Sequence, residues 1–225
     1  MLRQTATLLG TQPPPCAYFE AFRALRTNIA AAQERDGFSS VLITSARPGD
    51  GKTLVASNLG IVTALSRRSA VVLDADLRHP AIAELLRLAP GPGIVDVCNG
   101  DAPLEQALVK TELATLSVLQ AGAAWPMAAE LLGSKEMGDL LAQLRERFDL
   151  VIVDSPPVGA VADACILCRI VERTVLVVRA GSRSPEPEHK ALQSLENAGA
   201  NILGIVVNDI LPRDSMAYRQ YYAYR

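Results

Sequence analysis

Blocks of apolar and polar residues follow one another along the chain and predict strands and helices in turn. Six short, mostly apolar runs predict strands, at 40–45, 70–74, 116–120, 150–153, 174–178 and 202–207. Most of these runs are continuous, which is typical of strands covered on both faces. Apolar positions at helical spacing lie between them and predict helices at 52–66, 80–87, 136–147, 161–172 and 186–198. The alternation predicts an α/β fold, a doubly wound, mostly parallel sheet flanked by helices on both faces.

The two ends of the chain and one internal stretch depart from this pattern. Residues 1–17 include three consecutive prolines and predict a flexible N-terminal segment. An amphipathic helix is predicted next, from Phe19 to about Gln33. Residues 88–110 are rich in Gly and Pro at their start and predict a loop-rich insertion. Residues 212–225 have no apolar periodicity and predict a tail, so we expect one folded domain over 18–211.

The composition limits the class of protein. A chain of 225 residues is long enough for one α/β domain with a large core. Although 49% of the residues are apolar, no apolar run reaches the roughly 20 residues that a membrane-spanning helix needs. The first ten residues are too short and too polar for a secretory signal. Since a net charge of −2 gives no general attraction to nucleic acid or membranes, we expect a cytoplasmic protein that binds no nucleic acid.

A Pro/Gly loop between the first predicted strand and helix carries Gly51-Lys52-Thr53 at the start of that helix. A strand, loop and helix in this order form the phosphate-binding P-loop, whose backbone N–H groups surround an anion at a helix N-terminus. Lys52 would reach the β- and γ-phosphates, and the Thr53 hydroxyl would bind Mg²⁺. Ala46 replaces the first Gly of the strict pattern, which a negative φ allows. The predicted nucleoside triphosphate site consists of Ala46, Arg47, Pro48, Gly49, Asp50, Gly51, Lys52, Thr53 and Leu54.

Two further predicted strands end in carboxylates. One leads into Asp74-Ala75-Asp76-Leu77-Arg78, and the other leads into Asp154-Ser155-Pro156-Pro157. Because ligands of open α/β sheets bind beyond the carboxyl ends of the strands, we expect all three aspartates to converge on the triphosphate. Aspartates at strand ends can alternatively cap the helices that follow. Two such clusters beside a P-loop favour the functional interpretation.

The cysteines and histidines do not predict a metal site. Cys165 and Cys168 have the Cys-x-x-Cys spacing of metal and redox motifs, but no second Cys/His pair follows at zinc spacing. They lie within an apolar helical pattern, where cysteine acts as a small core residue. Neither His79 nor His189 has a ligand-like neighbour.

The P-loop, Asp-x-Asp-x-Arg and Asp-Ser-Pro-Pro motifs together resemble those of the bacterial tyrosine kinases (BY-kinases) of capsule and exopolysaccharide synthesis, which are relatives of the MinD/ParA ATPases. Two further segments are similar to this family. Glu20-x-x-Arg23-x-x-Arg26 resembles its oligomerisation segment. Four of the five tyrosines lie in the last eight residues and resemble its autophosphorylated cluster: Tyr218, Tyr221, Tyr222 and Tyr224. The resemblance covers the chain from about residue 18 to its end.

The resemblance implies a role for each matching position. Lys52 and the loop would hold the phosphates of ATP, and Asp76 and Asp154 would hold Mg²⁺ through water beside Thr53. Asp74 would accept the proton of the incoming tyrosine hydroxyl, as phosphoryl transfer to an alcohol requires. Asn208 lies where relatives contact the adenine. Arg47 replaces a signature lysine of the MinD/ParA relatives, and whether it reaches a phosphate stays open.

The resemblance implies an ATP- and Mg²⁺-dependent protein-tyrosine autokinase that phosphorylates its tail tyrosines in trans and regulates polysaccharide synthesis or export. Glu20, Arg23 and Arg26 share one helix face and would bridge the copies of a homo-oligomeric ring. The implied partners are a membrane adaptor, which would hold the chain at the inner membrane, and a cognate tyrosine phosphatase. The alternative is a MinD/ParA-like ATPase switch that controls dimerisation or positioning. The tyrosine cluster favours the kinase, because a switch does not need it.

Overall fold

The structure, a computed structural model, describes residues 16–123, 125–181 and 184–210. Seven strands in this part of the chain form one sheet. They are β1 (Ser40–Ser45), β2 (Ala70–Asp74), β3 (Leu108–Lys110), β4 (Leu116–Leu119), β5 (Leu150–Asp154), β6 (Arg173–Arg179) and β7 (Ile202–Asn208). Their order is β3-β4-β2-β5-β1-β6-β7. All neighbours run parallel except β3 and β4, which are antiparallel.

Helices connect the strands and cover both faces of the sheet. They are α1 (Cys16–Asp36), α2 (Lys52–Leu65), α3 (Ile82–Leu85), α4 (Ile94–Cys98), α5 (Leu104–Ala107), α6 (Ala128–Leu132), α7 (Lys135–Arg147), α8 (Asp163–Leu167) and α9 (Glu186–Asn197). No helix in the described ranges is both long enough and apolar enough to cross a bilayer.

The core consists of two apolar layers, one on each face of the sheet. Alternate residues of β1 show the division, because successive side chains of a strand point to opposite faces. Val41 and Ile43 pack in the layer that contains α1 and α2, whereas Leu42 packs in the layer that contains α7, α8 and α9. Every residue of β1, β2 and β5 is buried. The predicted doubly wound sheet with helices on both faces is therefore confirmed.

Three predicted elements differ from the structure. The helix predicted at 80–87 is shorter in the structure, where it consists of α3 alone. Asp74 accepts hydrogen bonds from the backbone at its start, and Arg87, shortly after its end, has a φ of +55° that does not continue a helix. The helix predicted at 161–172 is reduced to α8, after which the chain continues in turns to Glu172. The insertion at 88–110 contains α4, α5 and β3. Only three residues long and half-exposed at the sheet edge, β3 lacks the apolar run that would have predicted it.

The predicted domain limits stay a prediction, because most of the two end segments lies outside the described residues. Helix α1 begins at Cys16, so its first two residues belong to the segment 1–17 that was expected to be flexible. The predicted tail, 212–225, lies outside the described residues.

Candidate active site

The loop after β1 has the backbone conformation of an anion-binding loop. Gly49 and Gly51 have φ values of +86° and +96°, which side-chain-bearing residues rarely adopt. Gly51 directly precedes α2, and a Cβ there would collide with the side chain of Asn208. The Asp50 carboxylate accepts the Arg47 backbone N–H at 2.9 Å. The loop is therefore held in shape from within, with its backbone close to the N-terminus of α2.

Asn208 at the end of β7 supports the same loop. Its side-chain amide donates a hydrogen bond of 2.8 Å to the Asp50 carbonyl oxygen. The resemblance placed this residue at the adenine, and the structure places it against the loop. Its contact with adenine stays a prediction, and its contact with the loop is an additional role that no sequence signal indicated.

Lys52 and the three aspartates meet beyond the carboxyl ends of the strands. Asp74 and Asp154 end the neighbouring strands β2 and β5 and are paired in register. The Lys52 ammonium nitrogen lies 3.0 Å from Asp76 Oδ2 and 3.7 Å from Asp154 Oδ2. It also lies 3.2 Å from the Thr53 hydroxyl oxygen. The structure thus brings together the residues expected to hold phosphate and metal.

All three carboxylates are shielded from solvent, with exposed fractions of 1% for Asp74, 4% for Asp76 and 0% for Asp154. Burial raises the pKa of Asp154 to about 7 and the pKa of Asp74 to about 6. Burial by itself would lower the pKa of Lys52, but the carboxylates of Asp154 and Asp76 outweigh it and raise that pKa. Lys52 therefore stays charged and compensates part of the negative charge around it.

The two oxygens of Asp74 have different surroundings. Asp74 Oδ2 accepts the backbone N–H groups of Ala81 and Ile82, each at 2.9 Å, at the start of α3. Asp74 Oδ1 is buried and accepts no hydrogen bond among the described residues. The helix-capping alternative is therefore realised for one oxygen, while the other is left for a proton or a ligand.

Asp154 is the most deeply buried carboxylate of the site. Both of its carboxylate oxygens lack a hydrogen bond of ordinary length among the described residues, and only the nearby Lys52 charge and the Thr53 hydroxyl hold its pKa down. A buried carboxylate without donors is costly, so its surroundings fit a cation or a metal-bound water. Among the described residues, no three His, Cys, Asp or Glu side chains could hold a metal by themselves. Mg²⁺ fits nevertheless, because it usually takes one or two carboxylates together with water and substrate phosphates.

Arg47 points away from this cluster. Its guanidinium donates to the Ser184 carbonyl oxygen at 3.0 Å and lies 3.4 Å from a carboxylate oxygen of Glu188 at the start of α9. The Arg47 side chain is bound at the start of α9 in this conformation, and whether it reaches a phosphate stays an open prediction.

Two further residues were missed as part of the site. Arg78 belongs to the Asp-x-Asp-x-Arg motif, but the sequence assigned it no role. Its guanidinium binds both carboxylate oxygens of Asp163, at 2.8 and 3.1 Å. Asp163 follows 85 residues later in the chain, so no local pattern could have paired the two.

The remaining predicted residues lie away from the site or outside the described residues. On α1, Glu20 and Arg23 form an exposed ion pair of 3.0 Å, and Arg26 lies within one turn of Arg23 on the same helix. Cys168 is buried in the core with Cys165 packed against it. The tail tyrosines lie outside the described residues: Tyr218, Tyr221, Tyr222 and Tyr224.

Comparison with known proteins agrees with this geometry. A family model described as ParA, NUBPL iron-transfer P-loop NTPase, matches residues 38–213. Tyrosine-protein kinase YwqD of Bacillus subtilis is 35% identical over 92% of this chain and 87% of the relative. The chain belongs to the bacterial tyrosine-protein kinases within the ParA-like P-loop NTPases. The predicted family is thereby confirmed.

Solved structures of similar proteins have the same fold. The kinase domain of the Escherichia coli tyrosine kinase ETK is 35% identical, with a TM-score of 0.83 over 89% of this chain and 78% of that chain. The chimerical protein CapA2B2 is 28% identical, with a TM-score of 0.86 over 92% of this chain and 91% of that chain. The chain spans 29% of the length of the curated E. coli etk relative, which is 34% identical to it.

Proposed function

We propose that this chain is an ATP-dependent protein-tyrosine kinase that phosphorylates the tyrosines of its own C-terminal tail in another copy. The observation that carries the proposal is the convergence of Lys52 with Asp74, Asp76 and Asp154 beside the P-loop. Phosphoryl transfer requires a phosphate cradle, metal-holding carboxylates and a base for the hydroxyl proton. This cluster offers a residue for each of the three.

The loop and Lys52 hold the nucleotide. Backbone N–H groups between Gly49 and Thr53 receive the phosphate oxygens at the positive end of α2. Lys52 pairs with Asp76 and Asp154 in the structure, so a phosphate in the loop competes with these carboxylates for the ammonium group. When bound, ATP would supply the phosphoryl group, and Mg²⁺ would neutralise charge on the phosphate oxygens. Thr53, Asp76 and Asp154 are the residues that would hold the metal.

Asp74 takes the proton of the acceptor hydroxyl. Its Oδ2 is fixed by two backbone N–H groups, while Oδ1 has no donor among the described residues. A carboxyl group with a pKa of about 6 is mostly ionised above neutral pH. Such a base is matched to a proton transfer near neutral pH, because catalysis is most efficient when the pKa lies close to the working pH. Asp74 is thus oriented and also basic enough for this step.

The acceptors, the assembly and the partners follow from the family resemblance. The acceptors are the tail tyrosines 218, 221, 222 and 224, and Glu20, Arg23 and Arg26 on α1 bridge neighbouring copies in a ring. Several phosphates at roughly −2 each repel one another and loosen that ring. A membrane adaptor holds the chain at the inner membrane, a tyrosine phosphatase reverses the reaction, and the process controlled is capsule or exopolysaccharide synthesis.

A second candidate is an ATPase switch of the MinD/ParA type, which the match of the ParA family model over residues 38–213 favours. The two candidates share the nucleotide site and differ in the group that receives the phosphoryl: a tyrosine in the kinase, and water in the switch.

A tryptic phosphopeptide map tests the proposal. The purified full chain is incubated with Mg²⁺-ATP beside a Lys52→Met variant, in which the loop lacks its ammonium group. Phosphate on the tyrosines of residues 214–225 in the wild type alone is the expected result. ATP hydrolysis with an unmodified tail, also in the presence of candidate adaptor peptides, would establish the switch instead.

A further inference from the structure

The segment after β2 holds Asp76 in a tight turn. The His79 backbone N–H donates both to the Asp76 carbonyl oxygen, at 3.2 Å, and to Asp76 Oδ1, at 3.1 Å. The other carboxylate oxygen, Oδ2, is thereby left facing Lys52 at 3.0 Å. The orientation of this carboxylate thus depends on the turn from Asp76 to His79 keeping its shape.

Both central residues of the turn are anchored from outside it. Leu77 is only 2% exposed and packs in the core layer with α7, α8 and α9. Arg78 uses two guanidinium nitrogens to bind both carboxylate oxygens of Asp163, which is 1% exposed and begins α8. A two-pronged arginine–carboxylate pair fixes direction as well as distance. Since α8 follows the segment that leaves Asp154, the pair joins the two chain segments that carry Asp76 and Asp154.

We propose that Arg78, through its ion pair with Asp163, is a positioning residue that orients Asp76 toward the magnesium ion of the nucleotide. The inference rests on the proposed function and extends it, because it assigns the arginine of the Asp-x-Asp-x-Arg motif to metal binding and not to phosphate or acceptor binding. The guanidinium of Arg78 is itself occupied by Asp163. Groups that orient a metal-holding side chain usually change metal affinity by about 10- to 100-fold when they are removed.

Binding of a fluorescent ATP analogue to the full chain tests this inference without any transfer step. Each variant is titrated with the analogue in EDTA, and then with Mg²⁺ at a fixed analogue concentration. For Arg78→Ala, affinity in EDTA should stay within about twofold of wild type, while the Mg²⁺ concentration for half-maximal enhancement should rise about 10- to 100-fold. Arg78→Lys keeps the charge but loses the two-pronged geometry, so its Mg²⁺ requirement should lie between those of wild type and Arg78→Ala.

Asp163→Asn supplies the second arm of a double-mutant cycle. If the two residues act as one pair, the double variant should need no more Mg²⁺ than the more affected single variant, because the effects of residues in contact do not add. Arg147→Ala is the matched control, since Arg147 forms a 2.8 Å surface pair with Glu105, far along the chain from the loop. Its Mg²⁺ requirement should equal that of wild type.

Three results would overturn the inference. The first is a wild-type Mg²⁺ requirement in Arg78→Ala, and the second is a loss of analogue affinity in EDTA as large as the change in the Mg²⁺ requirement. The third is additivity of the effects of Arg78→Ala and Asp163→Asn in the double variant. If Arg78→Ala does not fold, as thermal unfolding by circular dichroism would reveal, Arg78→Lys decides by the same criteria. An unmodified tail in the phosphopeptide map would refute the kinase without affecting this test, because the titration involves no acceptor.

Discussion

Replacement of Asp154 by asparagine should stabilise the nucleotide-free protein at pH 8 while it abolishes the proposed phosphoryl transfer. Asp154 is fully buried, and its two oxygens lack hydrogen bonds of ordinary length from the described residues, with only Lys52 and the Thr53 hydroxyl close enough to favour its charge. Asparagine has the same shape and carries no charge, so it removes the cost of burying the carboxylate. The nearby Lys52 keeps Asp76 as an ion-pair partner at 3.0 Å.

The magnitude follows from the pKa of Asp154, which burial raises from 3.8 to about 7. A difference of about three pKa units corresponds to about 4 kcal/mol at about 1.4 kcal/mol per unit. Because the folded state binds the proton more tightly than the unfolded chain, ionisation removes stability as the pH rises from about 4 to about 7. Local relaxation reduces the effect, so we expect a gain of about 2–4 kcal/mol for Asp154→Asn at pH 8.

Urea unfolding followed by circular dichroism, in EDTA and without nucleotide, measures this gain. At pH 5 the gain in the free energy of unfolding should be less than half of its value at pH 8. The reason is that only about a third of the stability that the wild type loses through ionisation of Asp154 has been lost by pH 5. Asp139→Asn is the matched control, since Asp139 is exposed and forms a surface ion pair with Lys135 one turn away. A variant that is no more stable than wild type at pH 8, or whose gain is the same at both pH values, would refute the reasoning.

Three further predictions concern the same site. Asp74→Asn should reduce tyrosine transfer by about 10²- to 10⁴-fold and remove the acid limb of the wild-type pH–rate profile near pH 6, where the rate falls as the base becomes protonated. Gly51→Ala should weaken binding of an ATP analogue at least about tenfold and cost about 1–3 kcal/mol of stability, because Gly51 has a φ of +96° and a Cβ there would collide with Asn208. Gly100→Ala is the control, since Gly100 has a φ of +79° but lies in open space. This control should leave binding of the analogue unchanged. Arg47→Ala should hydrolyse ATP within about twofold of wild type, since the Arg47 guanidinium is bound to Ser184 and Glu188 in the structure. A large loss would show that Arg47 leaves α9 for a phosphate.

The sequence predicted the fold where local pattern and tertiary environment agree. Continuous apolar runs at 40–45, 70–74 and 150–153 became the fully buried central strands. Short edge elements were less predictable. β3 has only three half-exposed residues, so its existence depends on pairing with β4 and not on its own apolarity.

The candidate site was predictable to the extent that its residues follow strand ends. Lys52 and the three aspartates could be named because parallel strands bring their carboxyl ends to one edge of the sheet. What each oxygen contacts was not predictable. Asp74 Oδ2 caps α3 because the chain returns to it at Ala81 and Ile82, while Oδ1 accepts no hydrogen bond among the described residues. No spacing rule specifies that path of the chain.

The sequence by itself determined the fold class, the family, the phosphate loop and the set of carboxylates, because each of these is encoded in short contiguous stretches. Tertiary structure alone decided which side chains are left without partners and which are joined across the chain. Asn208 reaches the loop across 158 positions and Arg78 reaches Asp163 across 85. Burial also changes the pKa of Asp74 and Asp154 only when the whole sheet is assembled around them. Long-range contacts and desolvation are properties of the folded chain, and for that reason a linear pattern does not contain them.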